Sequence, residues 1–194
     1  MRSSDNRRFG PRCSLALLLF LVLVEVLPAG AADREILTVT TESGGGVKAI
    51  AHVHFPASPQ VVFAILTDYA HWPELFDVRM RVADLQVRDD GAWVDLRIDH
   101  ALLPGERRLV TQSRAVPGSE LVTDLVGGDF KHYHRVWTLA PGGAGNHTEA
   151  DFELVVAIDS IVPDWLVALA TRRELEAHFR IVKKKALEDA KGGR

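Results

Sequence analysis

The sequence predicts an α+β domain in which a curved antiparallel sheet of about seven strands is closed by one long C-terminal helix, with two short helices after the first strand. Three observations predict it. Residues 47–55 alternate apolar and polar with period two. Residues 78–158 repeat that alternation in about six runs separated by turn residues. Beyond Pro163 the apolar positions change to a helical period.

The first strand carries Val47, Ala49, Ala51, Val53 and Phe55 on one face and Lys48, His52 and His54 on the other, the pattern of a half-buried strand. A helix start follows. Ser58 is placed to cap free backbone amides, and Pro59 suits the first helical position because the N–H it lacks would be unpaired there. Val62, Ile65 and Leu66 come at helical spacing. Asp68-Tyr69 closes the segment, and Trp72-Pro73 opens a second short piece through Phe76.

The strands then run from Arg79 to Arg88, from Ala92 to Ile98, from Glu106 to Val116, from Leu121 to Val126, from Phe130 to Leu139 and from Glu149 to Ile158. Asp89-Asp90-Gly91, Leu103-Pro104-Gly105, Pro117-Gly118 and Gly127-Gly128-Asp129 are the turn signals between the earlier ones, and 141–145 is a looser turn. Meandering strands joined this way pair antiparallel. Asp164 then sits in the first turn of the terminal helix and Lys183, Lys184 and Lys185 near its other end, each suiting the helix dipole. Leu175, Phe179, Val182 and Ala186 form its apolar stripe.

The N-terminus reads differently. Arg2, Arg7, Arg8 and Arg12 precede an unbroken apolar run from Leu15 to Val24, followed by Pro28 and the small residues Ala29-Gly30-Ala31. Basic, apolar, then small is the order of a secretory signal, and the run is shorter than the roughly 20 residues a spanning helix needs. Residues 1–31 are therefore expected to be a signal peptide cleaved near Ala31, with an uncleaved anchor as the alternative, and the protein to be periplasmic or secreted. Residues 32–46, polar and ending in three glycines, are expected to be a flexible lead-in, and 47–190 the domain.

The leader takes four of the 23 basic residues and two of the 26 acidic ones, leaving 19 and 24, a net of −5. That balance argues against a general nucleic-acid binder, which needs a basic face. The single cysteine, Cys13, leaves with the leader, so the domain has neither disulfide nor thiol chemistry.

An apolar sheet face must be covered, and only the terminal helix is long enough to cover it. A curved sheet around one helix leaves a space roofed by the short helices, a natural site for an apolar ligand. Three segments carry a resemblance at this point: FPASPQVVFAILTDYAHWPELF (55–76), LVGGDFKHYHRVWTL (125–139) and the terminal helix. Residues 49–190 resemble the START-like helix-grip superfamily of polyketide cyclases/dehydrases and lipid-transport proteins, and within it the coenzyme Q-binding and ribosome-toxin-like branch. The resemblance implies a helix-grip fold and a hydrophobic ligand such as a lipid, quinone or polyketide. It does not choose between binding and catalysis.

Phe63, Trp72 and Phe76 are candidates for the roof of the cavity or for ordinary core. Tyr133, Arg135 and Trp137 share one strand face, so an inward Trp137 brings Arg135 inward, to meet a ligand carboxylate or phosphate or to pair with Asp124 or Asp151. Phe152, Leu154, Trp165 and Phe179 complete the expected ligand-binding set. Two histidine pairs, His52/His54 and His132/His134, would supply metal ligands only if their strands were neighbours. No cysteine or carboxylate completes a recognisable spacing, so neither metal nor cofactor is expected. Asp99 and His100 are adjacent on a strand and point to opposite faces, which separates them as an acid/base pair. Ser113 and Ser160 lack a nucleophile motif, and no catalytic residue is assigned.

These features favour an exported, non-enzymatic carrier of a hydrophobic small molecule, with transient contact between the three lysines and a membrane surface as a further partner class. Two alternatives stand beside it: a cyclase or dehydratase using Arg135, Tyr133 or His100, and a protein-interaction module with a filled core.

Overall fold

The computed structural model of the protein describes residues 35–89, 91–143 and 145–192. The leader expected over 1–31 lies outside the described residues. Eight strands form one antiparallel sheet: β1 (Ile36–Thr41), β2 (Val47–Phe55), β3 (Arg79–Arg88), β4 (Gly91–Asp99), β5 (Arg107–Val116), β6 (Glu120–Gly128), β7 (Phe130–Gly142) and β8 (His147–Ile158). Helix α1 (Pro59–Thr67) and a 3₁₀ helix (Tyr69–Leu75) follow β2, and α2 (Asp164–Gly192) ends the chain. Strand order is β1-β2-β8-β7-β6-β5-β4-β3, so the two short helices carry the chain from β2, next to one edge of the curved sheet, to β3 at the other edge. No helix among the described residues is long and apolar enough to cross a membrane.

The strand that raises the count from seven to eight is β1, which lies within the expected flexible lead-in. Its register runs from Ile36 opposite His52 to Thr41 opposite Val47. The three glycines are a tight hairpin turn: Glu42 N–H donates to Gly46 O at 3.0 Å, and Gly45 N–H to Glu42 O at 3.0 Å. Gly46 has φ of 98°, and a Cβ there would lie 2.6 Å from the Val156 carbonyl oxygen, so glycine is required. An ion pair between Glu35 and Lys183 ties the start of β1 to α2.

Helix α1 begins as the Pro59 signal implies, but the Ser58 side chain makes no capping hydrogen bond. Its carbonyl instead accepts from Val61 and Val62 N–H at 3.0 and 3.1 Å. The second short helix has 3₁₀ geometry and is pinned by Trp72, whose Nε1–H donates to Leu66 O at 2.9 Å.

The sheet's concave face and α2 enclose the core. At the β2–β8–β7 end this space is filled by rings. The Trp137 ring centre lies 5.9 Å from Phe55, 4.6 Å from Phe152 and 5.6 Å from Phe179. Trp137 is fully buried, its contact with Phe179 is edge-to-face and the other two are tilted, and such aromatic contacts add to the stabilisation from burial. Between β5 and β6 the register shifts after Val110, which pairs with Gly127 while Thr111 pairs with Leu125, so Val126 is the extra residue of a bulge on β6. Leu109, Val110 and Thr111 of the facing β5 are all buried.

Candidate functional site

A cavity of about 150 Å³ lies between α2 and the β3–β5 end of the sheet. Leu96 and Ile98 of β4, Leu109 and Thr111 of β5 and Met80 of β3 line one side, while Val167, Ala170 and Leu175 of α2 line the other. Trp72 and Phe76 form the roof, and Leu102 and Leu103 of the β4–β5 loop stand in the wall. The volume is about half the ~300 Å³ at the low end for ligand pockets, but it matches an apolar cavity that takes up benzene.

The ten expected ligand-binding residues divide into two groups. The cavity wall holds Trp72, Phe76, Tyr133, Arg135 and Leu154. The others lie elsewhere. Trp137, Phe152 and Phe179 belong to the ring cluster that closes the space just beyond the cavity. Phe63 packs against the core from α1. Trp165 is 65% exposed on the first turn of α2, because the apolar stripe begins only after that turn.

Arg135 is the polar centre of the wall. Alternation in β7 puts it on the inner face with Trp137, and it is 5% exposed. Its guanidinium sits 4.6 Å from the centre of the Trp72 ring, and Nη2 reaches Thr123 Oγ1 at 3.4 Å. Neither expected carboxylate is its partner. Asp124 pairs with Arg114 at 2.9 Å and His134 at 2.6 Å, and Asp151 with His52 at 2.8 Å, all on the outer face. Among the described residues no carboxylate lies within ion-pair distance of Arg135, and its Nε has no hydrogen-bond partner in the protein.

Other polar atoms around it are also unpartnered. Thr111 Oγ1, the Tyr69 hydroxyl and His178 Nε2 are buried without a hydrogen bond from the protein. Burial pushes the Tyr69 phenol up, against the pull of nearby Ser113 and Arg135. His178 is stacked on Phe76 with ring centres 4.3 Å apart. Leu75 O, which can only accept, lies 2.8 Å from its Nδ1, so the proton is on Nδ1 and Nε2 presents a lone pair. Burial, reinforced by the Arg135 charge and opposed by the Leu75 bond, lowers His178 to about 4, so the imidazole is neutral.

His100 pairs with Glu174 of α2, at 2.6 Å, and both line the cavity. Asp99, its neighbour in sequence, faces Arg79 instead. Leu102 N–H donates to His100 Nδ1 at 3.2 Å, which leaves the ring proton on Nε2 to be donated to the Glu174 carboxylate. Burial raises the Glu174 carboxyl while His100 pulls it down. Sequence reasoning missed Glu174, Thr171 and His178. Their signal was available, since 171, 174, 178 and 182 recur at three and four and put polar residues on the apolar stripe of α2. Lys183, Lys184 and Lys185 of α2 are each paired, with Glu35, Glu188 and Glu74 respectively.

A family model described as polyketide cyclase/dehydrase and lipid transport matches residues 55–178. The chain belongs to that family. Solved structures with the same fold as this polyketide cyclase/dehydrase and lipid-transport family member include a START superfamily protein from Mycobacterium smegmatis. It is 18% identical with a TM-score of 0.56, covering 73% of this chain and 97% of that one. A protein from Thermus thermophilus is 15% identical with a TM-score of 0.59, covering 73% and 98%. The Zhui aromatase/cyclase from a Streptomyces species is 11% identical with a TM-score of 0.56, covering 74% and 93%. A search of curated proteins gives no match. The family match does not single out the coenzyme Q-binding branch. At these identities the likeness to solved structures is one of fold, the helix-grip arrangement of sheet and terminal helix.

Proposed function

We propose that the protein binds and carries a hydrophobic small molecule whose enclosed part is one ring in size and bears an acidic or strongly accepting oxygen. The observation that supports this is Arg135, a buried cation in an apolar wall with no carboxylate beside it. Burying a guanidinium without a counter-ion costs several kcal/mol, which a ligand oxygen would offset. Thr111 Oγ1 in the same wall supplies a second polar contact. Removal of ring area from water supplies the rest, at roughly 25 cal/mol per Å² before ordering costs. A phenol, a quinone or an aromatic acid has this chemistry.

The carrier works outside the cytoplasm on this reading, supported by the order of basic, apolar and small residues in 1–31. Ile161, 95% exposed, and Trp165 flank the lining residue Val162 and give the cavity end an apolar rim suited to transient membrane contact. A cyclase or dehydratase activity is the second reading, favoured by the His100–Glu174 pair in the cavity wall, which could move a proton.

Native mass spectrometry of protein purified from cells that export it tests the proposal. The expected result is a bound aromatic or lipid-like mass that is absent from an Arg135→Met preparation. Protein that carries no such mass, and takes up none when offered aromatic acids or phenols, would overturn it.

A further inference from the structure

The convex face of the sheet, opposite the cavity, holds a second cluster. Register in β2 and β8 puts His52 opposite Asp151 and His54 opposite Glu149, with His147 two residues before Glu149 on the same face. The sequence offered no carboxylate to complete the histidine pairs because it could not show that β8 lies beside β2. Strand β7, with His132 and His134, is on the far side of β8.

One side-chain donor atom from each of His54, His147 and Glu149 lies within 4.8 Å of the other two. His54 Nδ1 is 2.9 Å from Glu149 Oε1, and His147 Nε2 is 3.8 Å from the same oxygen. Metal–ligand bonds of about 2.0–2.1 Å at a tetrahedral centre put neighbouring ligand atoms about 3.3 Å apart, so these distances bracket the required spacing.

The surroundings hold the ligands in orientation. Asn146 Oδ1, 3.1 Å from His147 Nδ1, accepts its proton and leaves Nε2 as a lone pair facing Glu149. His52 holds the other oxygen, Glu149 Oε2, at 3.2 Å and is itself held by Asp151 at 2.8 Å, so Oε1 is the oxygen turned to the two imidazoles. The space that a Cβ at Gly142 would take is filled by the His147 ring, so that ring is seated directly on backbone. The ligand side chains are 40%, 29% and 25% exposed, which leaves a coordination position open to solvent.

We propose that His54, His147 and Glu149 bind one divalent transition-metal ion of the zinc class, with water as the fourth ligand and Asn146, His52 and Asp151 as orienting groups. Two imidazoles and a carboxylate suit zinc. Calcium and magnesium prefer all-oxygen sites, and none of the three ligands is a thiolate that would select copper(I) or an iron–sulfur cluster. The site is independent of the cavity, since its side chains leave the other face of the sheet.

Calorimetry of zinc chloride into the untagged, chelator-treated protein reads the proposal. One zinc ion is expected per chain. His147→Asn and Glu149→Gln should each weaken binding at least ~10-fold with unchanged circular dichroism, and His132→Asn should bind as the wild type does. Cobalt(II) added to the wild-type protein should give the intense visible bands of a tetrahedral centre, a readout that needs no variant. Zinc binding that survives loss of both His147 and Glu149, no stoichiometric zinc uptake, or the weak spectrum of hydrated cobalt would each overturn it.

Discussion

The Arg135 guanidinium faces the Trp72 ring at 4.6 Å, and this pairing takes the place of a counter-ion. A cation over an indole face gains roughly 0.5–2 kcal/mol, less than the desolvation cost of a buried guanidinium. The remaining charge is available to a ligand. Benzoate should therefore bind more tightly than toluene. Arg135→Met should weaken benzoate at least ~10-fold, about 1.4 kcal/mol, and leave toluene unchanged, with a denaturation midpoint no lower than wild type. Calorimetry with the two ligands checks this, and equal affinity for both in the wild type would remove Arg135 from the site.

Depth in the cavity is set by neighbours on three elements. Arg135, Leu154 and Leu175 line it, and two, two and four residues away along β7, β8 and α2 stand Trp137, Phe152 and Phe179. Trp137→Ala should cost about 3–5 kcal/mol in urea denaturation and admit a two-ring ligand such as naphthoate. Leu109→Phe should do the opposite, excluding benzoate while costing no more than ~1–3 kcal/mol.

Glu174 carries a stability prediction whose sign runs against intuition. Burial holds its carboxyl above the ordinary value, so between the unfolded and folded values the native state holds more protons than the unfolded chain. Stability from this group is present at low pH and falls as pH rises through that window. Glu174→Gln still accepts from His100 Nε2–H and loses no charge to solvate. Its melting temperature should be higher than wild type at pH 7, with the difference shrinking toward pH 4. A lower melting temperature at pH 7 would show that the bond from His100 to the charged carboxylate, rather than burial, dominates.

His178 has the reverse dependence. Above pH 6.5 the imidazole is neutral in both states and contributes nothing to the pH dependence. Between 6.5 and about 4 only the unfolded chain takes up the proton, so stability falls as pH drops. The full loss is roughly 3 kcal/mol at pH 4 and below. His178→Gln keeps a donor for Leu75 O but does not titrate, so its urea midpoints at pH 7, 6 and 5 should decline less steeply than those of wild type. Parallel declines would place the acid sensitivity elsewhere.

Much of the fold was legible because strand and helix periods differ. The alternation of Val47 to Phe55 and of Ala92 to Ile98 assigned inner faces that are buried in the structure. Strand β1 escaped because it is an edge strand. Its burial is slight, with only Leu37 and Val39 packed against the core, so its sequence has no apolar face strong enough to announce it. The glycines beside it are as consistent with a linker as with a hairpin, and only the register to β2 decides.

The site was half legible for a related reason. Alternation placed Arg135 and Trp137 on one face, but no pattern along β7 says which of them meets a cavity and which meets Phe152 and Phe179. That depends on where the curvature of the sheet lifts it from α2. The partner of His100 was beyond reach, since Glu174 is distant in sequence and meets it only once the β4–β5 loop closes on the helix. The cluster on the outer face needed the β2–β8 register, which is a property of the whole topology.

The ring cluster of Trp137, Phe152 and Phe179 stops the interior on one side of the cavity. On the proposed carrier reading, a guest would enter and leave on the side away from these rings, where Leu102 and Leu103 stand in the wall. Loading and unloading would then compete for one doorway, and a receiving surface would have to meet the protein at that end.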